Sequence, residues 1–262
     1  MDAEVLAPAA AVRRRLPRPP ALRRLVTTVW THDLPPRATA VRVLPDAAID
    51  VVVGGGRIRI AGPDSSAVVE RFPAGGWVVG FQLRPGAAAA LLGVPASALR
   101  DERVDLEDLW GAAAGELVDA ADEGDGPAAV AAAVEERLAG RAAAAPDGDP
   151  LAEPLLRRLA VGGPAGALAD ELGLGERQLR RRAGAAFGYG PKVLSRVLRF
   201  AAAVERLRAA PEVPLAALAA EAGYADQAHF THETRDLSGL TPAQLRSALA
   251  RSMSVLDKTP AA

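Results

Sequence analysis

The sequence predicts an α+β N-terminal domain, short strands followed by helices, and after it an all-α domain with two helix-turn-helix units joined by a long helix. Three observations carry this expectation. Residues 25–85 are rich in short β-branched runs cut by glycine and proline. Beyond residue 150 every periodic segment has helical spacing. One helical pattern also occurs twice, 50 residues apart.

The strands come first. LVTTVWTHDL and VRVLPDAAIDVVVGGGRIRIAG hold the β-branched runs, with breaks at Pro35-Pro36, Pro45 and Gly54-Gly55-Gly56. GRIRIAG alternates, as a half-exposed strand does, and GGG reads as a hairpin turn between VVV and RIRI rather than a nucleotide loop. GGWVVGFQL is a further strand ending at Pro85-Gly86. From Ala87 the pattern turns helical. AAAALLG closes at Gly93, the acidic stretch SALRDERVDLEDLWG follows, and one or two alanine-rich helices flank GDGP between Val118 and Ala145. APDGDP, Ala145 to Pro150, is the linker candidate. The expected division is a sensor or self-association domain at 1–145, with strands at about 25–85 and helices at about 87–145, and a DNA-binding domain at 151–252.

The repeat is LADELGL, from Leu168, and LAAEAGY, from Leu218. Each is a short helix ending at a glycine and followed by a second helix, which is the helix-turn-helix pattern. Between the copies runs PKVLSRVLRFAAAVERLRAA, whose Leu194, Val197, Leu198, Ala201, Val204 and Leu207 make one apolar stripe. Such a helix of about 20 residues is roughly 30 Å long, close to the ~34–36 Å between successive major-groove faces of DNA.

Charge separates along the chain. The formal net charge is -1, but Pro150 to Arg251 holds 14 Lys and Arg against 10 Asp and Glu, whereas Met1 to Asp149 holds 16 against 21. A basic second half on an acidic first half points to an anionic partner for the second half. There are no cysteines, which excludes disulfides, thiolate metal sites and cysteine nucleophiles and suits a cytoplasmic protein. No signal-length apolar run follows Arg13-Arg14-Arg15, and no window of about 18 residues is apolar and uncharged, so no membrane partner is expected.

The second helix of the first copy, GERQLRRRAGAAFG, sets its charge on one side. With Leu179, Ala183 and Ala186 on the buried edge, Arg177, Arg180 and Arg181 point outward, with Arg182 on the flank. The major groove admits one helix, and the arginine fork fits the O6 and N7 acceptors of guanine. In the second copy Phe230 anchors the helix, and Ala228, Thr231, His232 and Arg235 face outward. Asp226 is the expected N-cap, and Gln227 lies at the helix start, within reach of adenine or a phosphate. His229 and His232 lie on different faces with no third ligand near, so no metal is expected.

These segments resemble the DNA-binding domain of AraC/XylS-type transcription regulators, above all in LADELGLGERQLRR, GYADQAHF and GLTPAQLR. The resemblance covers about Leu155 to Ala250 and implies promoter binding through two helix-turn-helix units. By it, Arg177, Arg180 and Arg181 match the first base-reading helix, and Gln227, Ala228, Thr231 and His232 match the second. Three positions depart from the family pattern: Gly175 where a serine N-cap is frequent, Thr234 where a packed aromatic is usual, and His232 where arginine is frequent. The first half is similar to the N-terminal part of a subgroup of these regulators, which implies sensing or self-association.

The expected function is a sequence-specific transcription regulator of double-stranded DNA, activator or repressor. It needs no cofactor; a small-molecule effector, RNA polymerase and a second copy of the chain (a homodimer) are the candidate further partners. The alternative is an enzyme in the N-terminal half with a DNA-targeting C-terminal domain. Against it, no Ser-His-Asp set, phosphate loop or metal cluster can be placed, and no catalytic residue is assigned. His32-Asp33 reads as turn chemistry beside prolines. A nucleoid protein without sequence preference is a third reading, for which the basic excess of the second half is modest. Trp30, Trp77 and Trp110 are either core residues or the walls of a pocket.

Overall fold

In the computed structural model the described residues are 4–6, 12–34, 39–72, 74–123, 125–161 and 165–254. The Pro35-Pro36 break and Gly124 of the GDGP turn lie outside them. The strands are β1 (Glu4–Leu6), β2 (Val12–Arg15), β3 (Val26–Asp33), β4 (Thr39–Val43), β5 (Asp50–Gly54), β6 (Arg57–Ala61), β7 (Val68–Phe72), β8 (Trp77–Leu83) and β9 (Arg103–Asp105). The first-half helices are α1 (Ala88–Leu92), α2 (Leu106–Trp110), α3 (Gly115–Glu123) and α4 (Pro127–Ala144). Then follow α5 (Ala152–Ala160), α6 (Ala165–Glu171), α7 (Glu176–Phe187), α8 (Pro191–Ala209), α9 (Leu215–Glu221), α10 (Gln227–Ser238) and α11 (Pro242–Ser254). A strand-rich region thus precedes a helical one, as expected.

The strands form two sheets, a six-stranded one ordered β2-β3-β8-β5-β6-β9 and a three-stranded one ordered β1-β4-β7. In the large sheet, alternation sends Val51 and Val53 of β5, Ile58 and Ile60 of β6, and Val79 and Phe81 of β8 into one core with the helices at residues 88–142. The opposite face carries Asp50, Val52, Arg59, Ala61 and Gln82, which line a cavity together with residues of the small sheet. The order of layers is therefore helices, large sheet, cavity, small sheet and then the helical half. The β5–β6 turn is Gly55-Gly56 with φ of 60° and 70°, the left-handed pair that a tight hairpin requires.

Three strands fall outside the expected 25–85 range. β2 is VRRR and β9 is RVD, and each is an edge strand of the large sheet, paired on one side only. Edge positions tolerate charge, so neither strand carries an apolar signature. β9 interrupts the acidic stretch that reads as helical. β1 pairs in parallel with β4, and its Leu6 is buried among helices α8 to α11. His32 and Asp33 correct another expectation: they end strand β3, paired with Val78 and Trp77, rather than making a turn.

The helical half packs in two clusters. One surrounds Leu155, Leu168, Leu179, Phe187 and Leu194; the other surrounds Val197, Phe200, Leu218, Phe230 and Leu245. α8 runs through both. Truncating a central member such as Leu179, 1% exposed, to alanine costs about 2–5 kcal/mol.

Candidate nucleic-acid interface

The two repeat units close the same turn. Leu174 N donates to Ala169 O at 2.8 Å and Tyr224 N to Ala219 O at 2.9 Å. Gly173 N donates to Asp170 O and Gly223 N to Ala220 O, both at 3.1 Å. Gly173 and Gly223 have φ of 62° and 77°, the left-handed conformation in which glycine pays no Cβ penalty. α7 and α10 are each 12 residues long and end at a left-handed glycine, Gly188 or Gly239.

Their first turns are capped differently. Asp226 accepts from His229 N at 2.7 Å, as the sequence predicts. Gly175 has no side chain to offer, so only the reciprocal half of the box exists: Gln178 Oε1 accepts from Gly175 N at 3.0 Å.

On α7 the apolar edge is buried and Arg177, Arg180 and Arg181 are exposed. Among the described residues none of the three makes a hydrogen bond or ion pair with the protein. Arg182 differs: it reaches back to Asp149 at 3.2 Å, in the segment that joins the two halves. On α10, Gln227, Ala228 and His232 are exposed and Thr231 is half-buried, its hydroxyl donating to Gln227 O at 2.8 Å. These four residues and Arg235 border one shallow concavity. Arg235 is exposed beside the matched positions, and the outward angle of its place on the helix is the signal that finds it.

The acidic residues of α10 are engaged by α8. Arg199 reaches Glu233 at 2.9 Å, and Arg196 reaches Asp236 at 2.6 Å. His229 and His232 face Glu233 and Asp236 respectively, at 3.5 and 3.4 Å. Arg196 and Arg199 of α8 thus brace α10. Thr234 is fully buried, and its hydroxyl has no hydrogen-bond partner among the described residues.

The first half holds both units. Tyr189, just after α7, is buried, and its hydroxyl donates to Asp64 O at 2.6 Å. Burial raises its pKa well above the usual tyrosine range. Arg42 of β4 donates to Ser238 O at 2.9 Å, and Ala67 N to Leu237 O at 2.7 Å, both at the end of α10.

The cavity between the sheets measures about 200 Å³. Trp30 lines it, with its indole N–H donating to Asp50 at 2.7 Å, and its ring lies where Gly80 leaves room. Trp110 is instead a core residue with Arg141 stacked 3.8 Å above its ring, and Trp77 packs at the edge of the same core. Arg103 binds both oxygens of Asp64, at 2.9 and 2.7 Å, and reaches Glu70 of the small sheet at 2.7 Å. Burial raises the pKa of Asp46, and it raises that of Asp50 to about 7 against the pull of the Trp30 hydrogen bond. Asp46 is exposed and Asp50 half-buried, and both border the cavity. Burial lowers the pKa of His32, keeping it neutral at physiological pH. Among the described residues no helix is long and apolar enough to cross a membrane, and no three His, Asp or Glu residues gather as a metal site.

Residues 168–248 match the model of a helix-turn-helix domain, and residues 14–105 match that of a domain of unknown function, DUF6597. A search of curated proteins finds no match. Among solved structures, ToxT from Vibrio cholerae O395 is 10% identical over 91% of this chain and 96% of that one, with a TM-score of 0.43. ToxT from the same strain bound to (E)-4-(8-methylnaphthalen-1-yl)but-3-enoic acid is 11% identical over 91% and 97%, with a TM-score of 0.41.

A duplicated helix-turn-helix scaffold within a matched domain of that kind defines a DNA-binding transcription regulator. The helix-turn-helix domain at 168–248 is of the AraC type, and a DUF6597 domain lies ahead of it at 14–105.

Proposed function

We propose that the chain divides into a sensing or self-association domain at 1–145 and a DNA-binding domain at 151–252, and that the latter reads two successive major-groove segments of one duplex. The observation that carries this reading is a repeated turn presenting two recognition helices, the first with three guanidinium groups that have no partner among the described residues. Arg177, Arg180 and Arg181 read bases or phosphates in the first segment. Gln227, Ala228, Thr231 and His232 face the second, and there they position more than they discriminate, because most of that helix's charge is spent within the protein. The 19 residues of α8 make a strut of about 28 Å, near the rise of one DNA turn.

In this reading the chain catalyses nothing, works in the cytoplasm, and contacts RNA polymerase and a second copy of itself at the promoter. A small molecule in the cavity controls it. The test is DNA retardation by the full chain, comparing duplexes recovered by genome-wide mapping of its bound sites with random duplex at rising salt. The expected result is a preference that survives salt at which random duplex is released. Equal affinity for both at every salt concentration means nonspecific binding, and the reading is then wrong.

A further inference from the structure

The small sheet has two working faces. On β4, Val41 and Val43 line the cavity, while Arg42 between them points away and donates to Ser238 O at the end of α10. The partners across the sheet obey the same alternation. Glu70 pairs with Val41, and it too lines the cavity. Leu6 and Val69 pair with Arg42 from either side, and Leu6 is buried among the helices, its N–H donating to Ser252 Oγ at 3.1 Å. A thin sheet thus separates the cavity from the second helix-turn-helix unit, and nothing can press on one face without loading the other.

The cavity's chemistry narrows its occupant. Its apolar walls include Trp30, Phe72, Val52 and Val78. A space of roughly 150 Å³ suffices for benzene, so about 200 Å³ takes a one-ring molecule. Of the charged groups, Arg103 is committed to Asp64 and Glu70. Asp46 raises the proton affinity of Asp50 while the charge of Arg14 lowers that of both, and among the described residues neither carboxylate makes a salt bridge. Arg14 and Arg59 also line the cavity, and Arg14 acts on both carboxylates through its charge, but among the described residues neither arginine forms a salt bridge to them. With His32 neutral, the lining holds four carboxylates against three guanidinium groups. Two neighbouring carboxylates that form no salt bridge among the described residues, beside aromatic rings, suit a cation, which the rings also attract through their faces.

We propose that this cavity takes a small, largely apolar cation, its charge set against Asp46 and Asp50 and its body against Trp30 and Phe72, and that the three-stranded sheet carries its presence to the second helix-turn-helix unit. This rests on the proposed regulator function for its consequence, but the binding step stands without DNA.

The test uses the full chain with 2-phenylethylamine, its neutral isostere 2-phenylethanol and the anion phenylacetate, above neutral pH, where the carboxylates are ionised. The amine raises the melting temperature by a few degrees at about 10 mM, and the alcohol and the acid do not. Asp50→Asn and Asp46→Asn, whose own melting curves report folding, each weaken amine binding at least tenfold, followed by quenching of Trp30 fluorescence. Arg42→Ala keeps amine binding but loses the amine's effect on DNA retardation. No shift with the amine, an equal shift with the alcohol, or a larger one with phenylacetate (the outcome if Arg14 and Arg59 select the ligand) overturns the ligand class. An amine that binds wild type and leaves its DNA affinity unchanged overturns the relay. DNA retardation without amine tests the regulator reading separately.

Discussion

The two helix-turn-helix units share a backbone and differ in where their charge goes. α7 carries a net charge of +3 and among the described residues leaves Arg177, Arg180 and Arg181 unpaired; α10, counting histidine as uncharged, carries -1 and has Glu233 and Asp236 clasped by Arg199 and Arg196. Duplication thus supplied two copies of one geometry, and the side chains then divided the work. The first unit keeps its cations for a partner. The second spends the neighbouring cations on its own stability and offers small or neutral groups outward. Affinity for a polyanion follows the number of free cations, so the first unit should dominate binding.

Replacing Arg181 with alanine tests that asymmetry most strongly. The expected cost in DNA binding is about 1–3 kcal/mol, concentrated at one base position, against a much smaller cost for His232→Ala. A uniform loss over all sequences would make Arg181 a phosphate contact, and equal losses in the two variants would remove the asymmetry itself.

The units also differ in how the first half holds them. The first is tied by a buried hydroxyl, Tyr189 to Asp64 O; the second by the half-buried guanidinium of Arg42. Tyr189→Phe leaves the Asp64 carbonyl without that donor and should destabilise the chain by about 1–3 kcal/mol in denaturant unfolding. If it unfolds at the wild-type midpoint, the contact contributes nothing.

The core of the second unit buries hydroxyls without a partner among the described residues, those of Tyr224 and Thr234. Thr234 is fully buried there, and its hydroxyl has no partner among the described residues. Thr234→Val keeps the shape and removes the desolvated hydroxyl, so it should stabilise the protein by about 1 kcal/mol. A lower denaturation midpoint would show that the hydroxyl does find a partner.

What the sequence revealed follows from which forces leave a local trace. The helical half was legible because each helix writes its burial as a 3.6-residue period and each turn as a glycine: Leu179, Ala183 and Ala186, or Phe230, needed no tertiary knowledge. The large sheet was half legible, through the β-branched runs of β5 and β8. Its edges were not, because VRRR and RVD are held by backbone pairing with β3 and β6, which any side chain permits. Nor was the cavity: Asp46, Asp50 and Trp30 come from separate segments, and only the sheet brings them together. The bracing of α10 by α8 was hidden for the same reason. Arg196 and Glu233 are far apart in sequence, and a sequence reading counts both as surface charge.

The smallest effect bears on the second unit directly. His232 is exposed on α10, next to Arg235, and faces Asp236, which Arg196 of α8 already holds. Arginine at this position would keep the helix, since its intrinsic preference for helix is at least that of histidine. It would add a permanent cation reaching farther than imidazole, and it could still meet Asp236 when no DNA is present. His232→Arg is therefore expected to raise affinity only a few-fold, equally for chosen and random duplex, and to steepen the salt dependence by about one counterion. Titration of both duplexes at several salt concentrations reads all three quantities. A gain confined to one sequence would mean that position 232 reads a base, and the second helix would then discriminate as the first does. No gain at any salt would mean that α10 stands off the DNA, leaving the first unit to bind alone.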